Sequence, residues 1–595
     1  MSPNQYHTYT PMIRVKISFI ILPLLLAACA NTSQQAVKED DPEQRVLDMN
    51  AVLPTISADK AAESYPRMEL SEKMLFTFLL ADIAEQRGRT DLAAEAFVEL
   101  AKMTRDARVA RRAAQLSFEA RQMDQALDAL KLWQELEPKA AMPRQMLITV
   151  LVSGGKLEEA RPYLQELLAA DPKNAGQAFE KIYPLFARHN DKQAAYKMLR
   201  ELAQPYPNIA EIHWVLAQAA EAAAQHDEAL GEVREARALR PEWEWPVLLQ
   251  AQILQLKNPP EALAVEKKFL EAYPDSNEVR LSYARLLLEK KQYQESRTQF
   301  QLLLKRQPDN AELAFAIALL SIQVGELDRA EKELRQTLAV GKKDSATVHY
   351  YLGQLNEAKK KEDVAVTEYQ QVKEGEFAFP SRLRIAFLLV KAHKLGEARD
   401  ILHQTESKNN HQQAQLVLTE GQILRDAKQY DLAFKVLSQG LEALPDQPDL
   451  LYEAAMVADK QGKLDTLELM LRKLIKVAPE HAHAYNALGY ALLERNVRLD
   501  EAMKLVEKAY QLDPDDAAIM DSMGWGYYLL GKLDKSEVFM RRAYAAFPDP
   551  EVAAHLGEVL WRKGAHKEAQ ATWQDNLKLN PDNAVLKAVI RKFVP

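Results

Sequence analysis

Tyr485-Asn486-Ala487-Leu488-Gly489, followed by Ala502 and Pro514, is answered further along by Gly524-Trp525-Gly526-Tyr527 with Gly531, followed by Ser536 and Pro548. Outward from this pair of segments the same beat governs the chain. Ala93, Ala126, Ala160, Ala195, Ala229, Ala262, Ser296, Ala330, Ala365, Ala398, Ala433, Leu467, Ala502, Ser536 and Ala569 stand 33, 34 or 35 residues apart, with Leu467 the one large member. Prolines keep phase behind them at Pro138, Pro172, Pro207, Pro241, Pro274 and Pro308, and again at Pro445, Pro479, Pro514, Pro548 and Pro581. Four positions after the small residue comes a bulky apolar one, such as Phe97, Leu130, Leu164, Phe300, Tyr369, Leu437 or Trp573, and Glu266 is the misfit. This is the pattern of paired antiparallel helices. A small residue lets two axes approach, a large one fills the groove beside it, and proline ends the second helix. Asp or Asn after the proline, as in Pro308-Asp309-Asn310 and Pro581-Asp582-Asn583, suits the cap of the next helix.

These features resemble the tetratricopeptide repeat. The resemblance implies an all-α, superhelical solenoid of about fifteen helix pairs over residues 74–581, closed by a capping helix that carries Val585, Leu586, Val589, Ile590 and Phe593. Between Gly341 and Gln412 the phased prolines are missing, while Gly375-Glu376, Pro380 and Ser407-Lys408-Asn409-Asn410 interrupt the pattern. The expected organisation is therefore an N-terminal superhelix over 68–341, a joint of irregular repeats over 342–412, and a C-terminal superhelix with its cap over 413–595.

Composition agrees with helices and excludes several other classes. Glycine occupies 19 of 595 positions, which disfavours collagen and glycine-rich phosphate loops. One cysteine excludes an intrachain disulfide and cysteine-rich zinc sites. A net charge of −8 without a basic block gives no footprint for nucleic acid. No His-Glu-x-x-His, Gly-x-Ser-x-Gly or phosphate loop occurs, and the carboxylates read as Glu/Lys pairs on solvent faces. His481 and His483, two apart, do not share a helical face and read as surface histidines. The expectation is no enzyme, no metal and no cofactor.

The start of the chain speaks to compartment. Arg14 and Lys16 precede an apolar run from Ile17 to Leu26, too short to span a bilayer and suited to a secretory signal over 1–28. It ends in Leu26-Ala27-Ala28-Cys29, which resembles the lipobox of bacterial lipoproteins. That resemblance implies cleavage before Cys29 and lipidation of its thiol, with Ala30 implying the outer membrane. Met12 is an alternative start, since residues 1–11 are unlike the head of a signal. Residues 29–67, broken by Pro42, Pro54 and Pro66, read as lipidated cysteine plus flexible tether. One amphipathic patch lies within it: Val46, Leu47, Met49, Val52 and Leu53. It reads either as a helix laid on the first repeat or as a docking segment for a partner.

In tetratricopeptide arrays the first helix of each pair lines the concave surface. By that phase Tyr490 and Trp525, with Tyr528 and Trp561 one turn on, either project inward as an apolar strip suited to anchoring a protein partner or pack on neighbouring helices. Trp214 falls on the same phase without aromatic company, whereas Trp133 and Trp573 fall on core phases. The lipobox, the repeat number and the run Pro548-Asp549-Pro550-Glu551-Val552-Ala553-Ala554-His555-Leu556-Gly557-Glu558 resemble the outer-membrane lipoprotein adaptors that partner the periplasmic carboxy-terminal processing protease (the LbcA type). That resemblance implies a non-catalytic scaffold, lipid-anchored at the periplasmic face of the outer membrane, that presents peptidoglycan hydrolases to the protease. A lipoprotein of an exopolysaccharide export or outer-membrane assembly machine is the alternative.

Overall fold

The computed structural model describes residues 68–341 and 344–594. Cys29 and the patch Val46, Leu47, Met49, Val52 and Leu53 lie outside the described residues. Among those described there are thirty-one α-helices, one short 3-10 turn at Pro172–Asn174, and no strand. The helices run as fifteen consecutive pairs, from Glu72–Gln86 with Thr90–Thr104 to Pro550–Arg562 with His566–Leu579, and end on the single helix Ala584–Phe593. This is the arrangement the 33 to 35-residue beat implied.

The beat has a simple packing cause. Ala93, Ala160, Ala330, Ala433 and Ala569 are completely buried between the helices of their pairs, and the bulky residue four positions on fills the gap. In the glycine-bearing pairs the bulky side chain lies directly on the first helix. A methyl group on Gly353 would overlap the ring of Tyr369, and one on Gly557 would overlap the indole of Trp573. Where serine replaces alanine its hydroxyl is satisfied across the pair: Ser296 Oγ donates to the Ala284 carbonyl and Ser536 Oγ to that of Gly524, each at 2.7 Å. Asn310 and Asn583 cap the following helices, accepting from Leu313 N at 3.1 Å and Leu586 N at 3.0 Å. Gly557→Ala is therefore expected to reverse the usual sign of a helical glycine substitution. The gain of up to ~1 kcal/mol in helix propensity is set against overpacking at the upper end of the ~1–3 kcal/mol range, because the methyl would overlap the indole, a net loss of about 2 kcal/mol. Chemical denaturation monitored through Trp573 checks this, and an unchanged or raised midpoint refutes it.

By contact the described residues form two units, 68–325 and 326–594. Residues 345–403 form two helical pairs with a shortened second member. Glu362–Gln370 and Leu395–His403 have nine residues each, against fourteen in Leu464–Val477, so they end before the phase where proline stands elsewhere. Pro380 sits in the first turn of Ala378–Lys391, where its missing N–H costs no helical hydrogen bond.

Glu266 occupies a bulky-residue position on Pro259–Ala272 and is fully buried. Neither carboxyl oxygen has a hydrogen-bond partner. Burial pushes this carboxyl up to about 7, with the nearby Ser282 hydroxyl pulling weakly the other way.

Candidate protein-binding surface

Tyr490, Trp525, Tyr528 and Trp561 sit on three successive first helices of the C-terminal unit: Ala482–Glu494, Ala517–Leu529 and Pro550–Arg562. On the second, Asp521, Trp525 and Tyr528 share a face at i, i+4 and i+7. On the third, Glu551, His555, Glu558 and Arg562 do the same.

These faces meet. The Trp525 indole stacks on Tyr528 at 4.9 Å between centroids and on His555 at 4.3 Å, both at 22°. His555 is fixed from its other side, with Nδ1 3.0 Å from an Asp521 carboxylate oxygen. Tyr490 donates through its hydroxyl to Glu551 Oε1 at 2.9 Å, although a complete helix pair lies between them in sequence. Side chains two pairs apart touch only where first helices converge, so this is the inner side of the C-terminal unit. Tyr528 donates to Glu558 Oε1 at 2.9 Å and accepts from Arg562 Nε at 3.2 Å, and Lys592 on the final helix reaches Glu558 at 3.1 Å.

Electrostatics set the protonation states. Burial alone would pull the His555 imidazole down, but Asp521, Glu551 and Glu558 outweigh it and push it up to about 9. His555 is therefore an imidazolium at neutral pH, and its ring presents positive charge to Trp525. Burial, aided by Asp521, raises the Glu551 carboxyl above the usual carboxylate range, with His555 and Tyr490 pulling the other way. The charged lining continues onto the preceding first helices. Arg425 and Glu453, both buried, pair at 2.7 Å, and burial pushes Glu453 up to about 7 against the pull of Arg425. Burial holds the Lys460 ammonium below its ordinary value, opposed by Asp459 and by Glu551.

The expected apolar strip is thus corrected to an aromatic and ionic one. The carboxylates that read as solvent-facing include Asp521, Glu558 and Glu453, which are buried. Trp525 and Tyr528 come together as expected, and Tyr490 joins them through Glu551 and through its ring, 6.4 Å from His555. Trp561 stands apart. It stacks on Trp573 at 5.9 Å and meets Phe593 at 5.9 Å and His566 at 4.3 Å, so it packs the last pair against the final helix. In the N-terminal unit Trp214 does have aromatic company, 5.8 Å from Trp243, over which the Arg240 guanidinium lies at 4.8 Å. Trp243 immediately precedes the helix Glu244–Lys257, where the helical phase that marks inward residues does not yet apply. Asp521, Glu551 and Glu558 read in the sequence as solvent-facing carboxylates; the signal that distinguishes them is acids flanking His555 at helical spacing.

His481 accepts from Ala484 N at 3.1 Å as a helix cap and stacks on Tyr452 at 5.5 Å. Among the described residues no group of three or more His, Cys, Asp or Glu is disposed to hold a metal ion, and no helix is long and apolar enough to cross a membrane.

Tetratricopeptide-repeat family models match residues 254–320, 315–379 and 452–517. The TPR repeat-containing protein PA4667 of Pseudomonas aeruginosa is 34% identical over 508 residues, covering 84% of this chain and 85% of that protein. Human Protein O-mannosyl-transferase TMTC1 is 23% identical over 188 residues, 30% of this chain and 21% of that one. Among solved structures, TTC0263, a thermophilic TPR protein of Thermus thermophilus, aligns with TM-score 0.28 and 25% identity over 30% of this chain and 98% of its own. The APC/C hetero-tetramer Cut9-Hcn1 aligns with TM-score 0.28 and 15% identity over 82% of this chain and 97% of that chain. With 34% identity extending along most of both chains, this chain belongs to the family of tetratricopeptide-repeat proteins that includes PA4667.

Proposed function

We propose that this protein is a non-catalytic scaffold, lipid-anchored at the periplasmic face of the outer membrane, that presents peptidoglycan hydrolases to a carboxy-terminal processing protease. Tetratricopeptide repeats are protein-interaction scaffolds, and the observation that carries the reading is the inner face around Trp525. It joins aromatic anchors to buried charges, the combination in which a few residues supply most of the affinity and the surrounding charges select the partner. The lipobox-like Leu26-Ala27-Ala28-Cys29 supports the anchored location, and the long array supports simultaneous binding of two proteins. Full-length protein used as bait in envelope extract is expected to recover a protease together with a hydrolase. Recovery of a glycan synthase or of barrel-assembly components in their place overturns the adaptor role in favour of an export or assembly machine.

The anchor has its own test. Cys29→Ser is expected to move the protein from the membrane fraction to the soluble fraction and abolish labelling by a fatty-acid probe. The repeats should melt as before, because the cysteine stands about forty residues before their first helix. Wild-type protein that fractionates as soluble, or takes up no probe, excludes lipidation.

A further inference from the structure

The first helix of the array, Glu72–Gln86, is anomalous. It buries only Thr77, Ala81 and Ala84, yet carries Leu75, Phe76, Phe78, Leu79, Leu80 and Ile83 at 43% to 67% exposure. A helix that is apolar on nearly all sides ordinarily has protein on all sides, and a contiguous exposed patch of this kind marks a surface meant to be covered. The C-terminal unit shows how such an end is closed. Its final helix Ala584–Phe593 buries Leu586 and stacks Phe593 on Trp573 at 5.8 Å. Nothing comparable covers Glu72–Gln86 among the described residues.

The chain itself supplies a matching piece. Upstream of residue 68, outside the signal-like run, the large apolar residues cluster at Val46, Leu47, Met49, Val52 and Leu53, with 46, 49 and 53 at i, i+3 and i+7. Asp41-Pro42-Glu43 and Pro54 bound the cluster with residues suited to the start and stop of one short element. The 18 residues 54–71 link it to the exposed helix. Such a linker reaches about 21–25 Å, twice the ~10–12 Å thickness of a helix, so the cluster can arrive on any side of Glu72–Gln86. A tether this short also holds the cluster at an effective concentration on the order of millimolar, which favours it over a second copy or a dilute partner.

We propose that residues 46–53 of this chain dock in cis on the exposed apolar face of Glu72–Gln86 and close the N-terminal end of the array. The test is disulfide trapping in full-length protein carrying Cys29→Ser. Leu53→Cys is paired with Phe76→Cys, separately with Leu80→Cys, and, as control, with Leu256→Cys, which is 82% exposed on Glu244–Lys257. At least one of the first two pairs is expected to close within the monomer about tenfold faster than the control, at a rate independent of protein concentration. A second measurement guards against an unlucky register. Val46→Ser, Met49→Ser and Leu53→Ser together should speed amide exchange in Glu72–Gln86 and raise binding of an apolar dye, with exchange in the C-terminal unit unchanged. Closure no faster than the control combined with unchanged exchange overturns the proposal. So does a disulfide found only in dimers, which assigns the face to a second copy, or protection of 46–53 that arises only when envelope extract is added, which assigns it to a partner.

Discussion

Glu266→Leu is expected to stabilise the N-terminal unit by about 2–3 kcal/mol more at pH 8 than at pH 5. The wild-type carboxyl is fully buried and without a hydrogen bond, and its folded-state value is pushed up to about 7 from an ordinary 4.5. A raised carboxyl binds its proton more tightly folded than unfolded. Wild-type stability therefore falls as pH climbs from about 4.5 to about 7 and is flat above, and a shift of this size corresponds to roughly 3 kcal/mol. Leucine restores the bulky apolar residue that the repeat uses at this position and removes the titration. Because tandem repeats need not unfold in one step, the reading should be local, by hydrogen exchange in Pro259–Ala272 and Asn277–Glu289 at both pH values. Parallel pH profiles for wild type and Glu266→Leu would show that the carboxyl has found a partner or water and sink the argument.

Glu266 also shows what a repetitive sequence reveals. Fifteen pairs and a final helix were legible because one packing demand, a small residue under a bulky one, is written afresh every turn of the array, and departures from it stand out. Helix length in the irregular stretch was legible only as missing prolines; the shortening of Glu362–Gln370 and Leu395–His403 needed coordinates. The inner surface was harder to read. A carboxylate such as Asp521 or Glu558 looks like any solvent-facing acid on an amphipathic helix, and its burial arises from the convergence of helices from different pairs. The period fixes neighbours within a pair but is silent on a contact such as Tyr490 with Glu551, 61 residues apart. Trp214 illustrates the same limit, since its neighbour Trp243 stands at a helix start where no helical phase applies.

Trp525→Ala is expected to weaken binding of the protein partner recovered with the full-length bait by about 2 kcal/mol or more, roughly thirtyfold. The same change should lower stability by an intermediate amount. Trp525 is half-buried and stacked on Tyr528 and His555, so its truncation should cost less than the ~3–5 kcal/mol of a fully enclosed tryptophan. Two further variants separate the roles. Trp525→Phe keeps a ring against His555 and should recover most of the stability, while recovering affinity only in part if the indole itself touches the partner. Trp573→Ala removes a fully buried ring of the core beneath Trp561 and should cost stability without altering affinity in the molecules that remain folded. The discriminating measurement is a thermal melt and a binding titration on the same preparations. If Trp525→Ala behaves as Trp573→Ala does, with a large fall in melting temperature and unchanged affinity per folded molecule, the Trp525 stack is part of the scaffold and the partner is held elsewhere on the array.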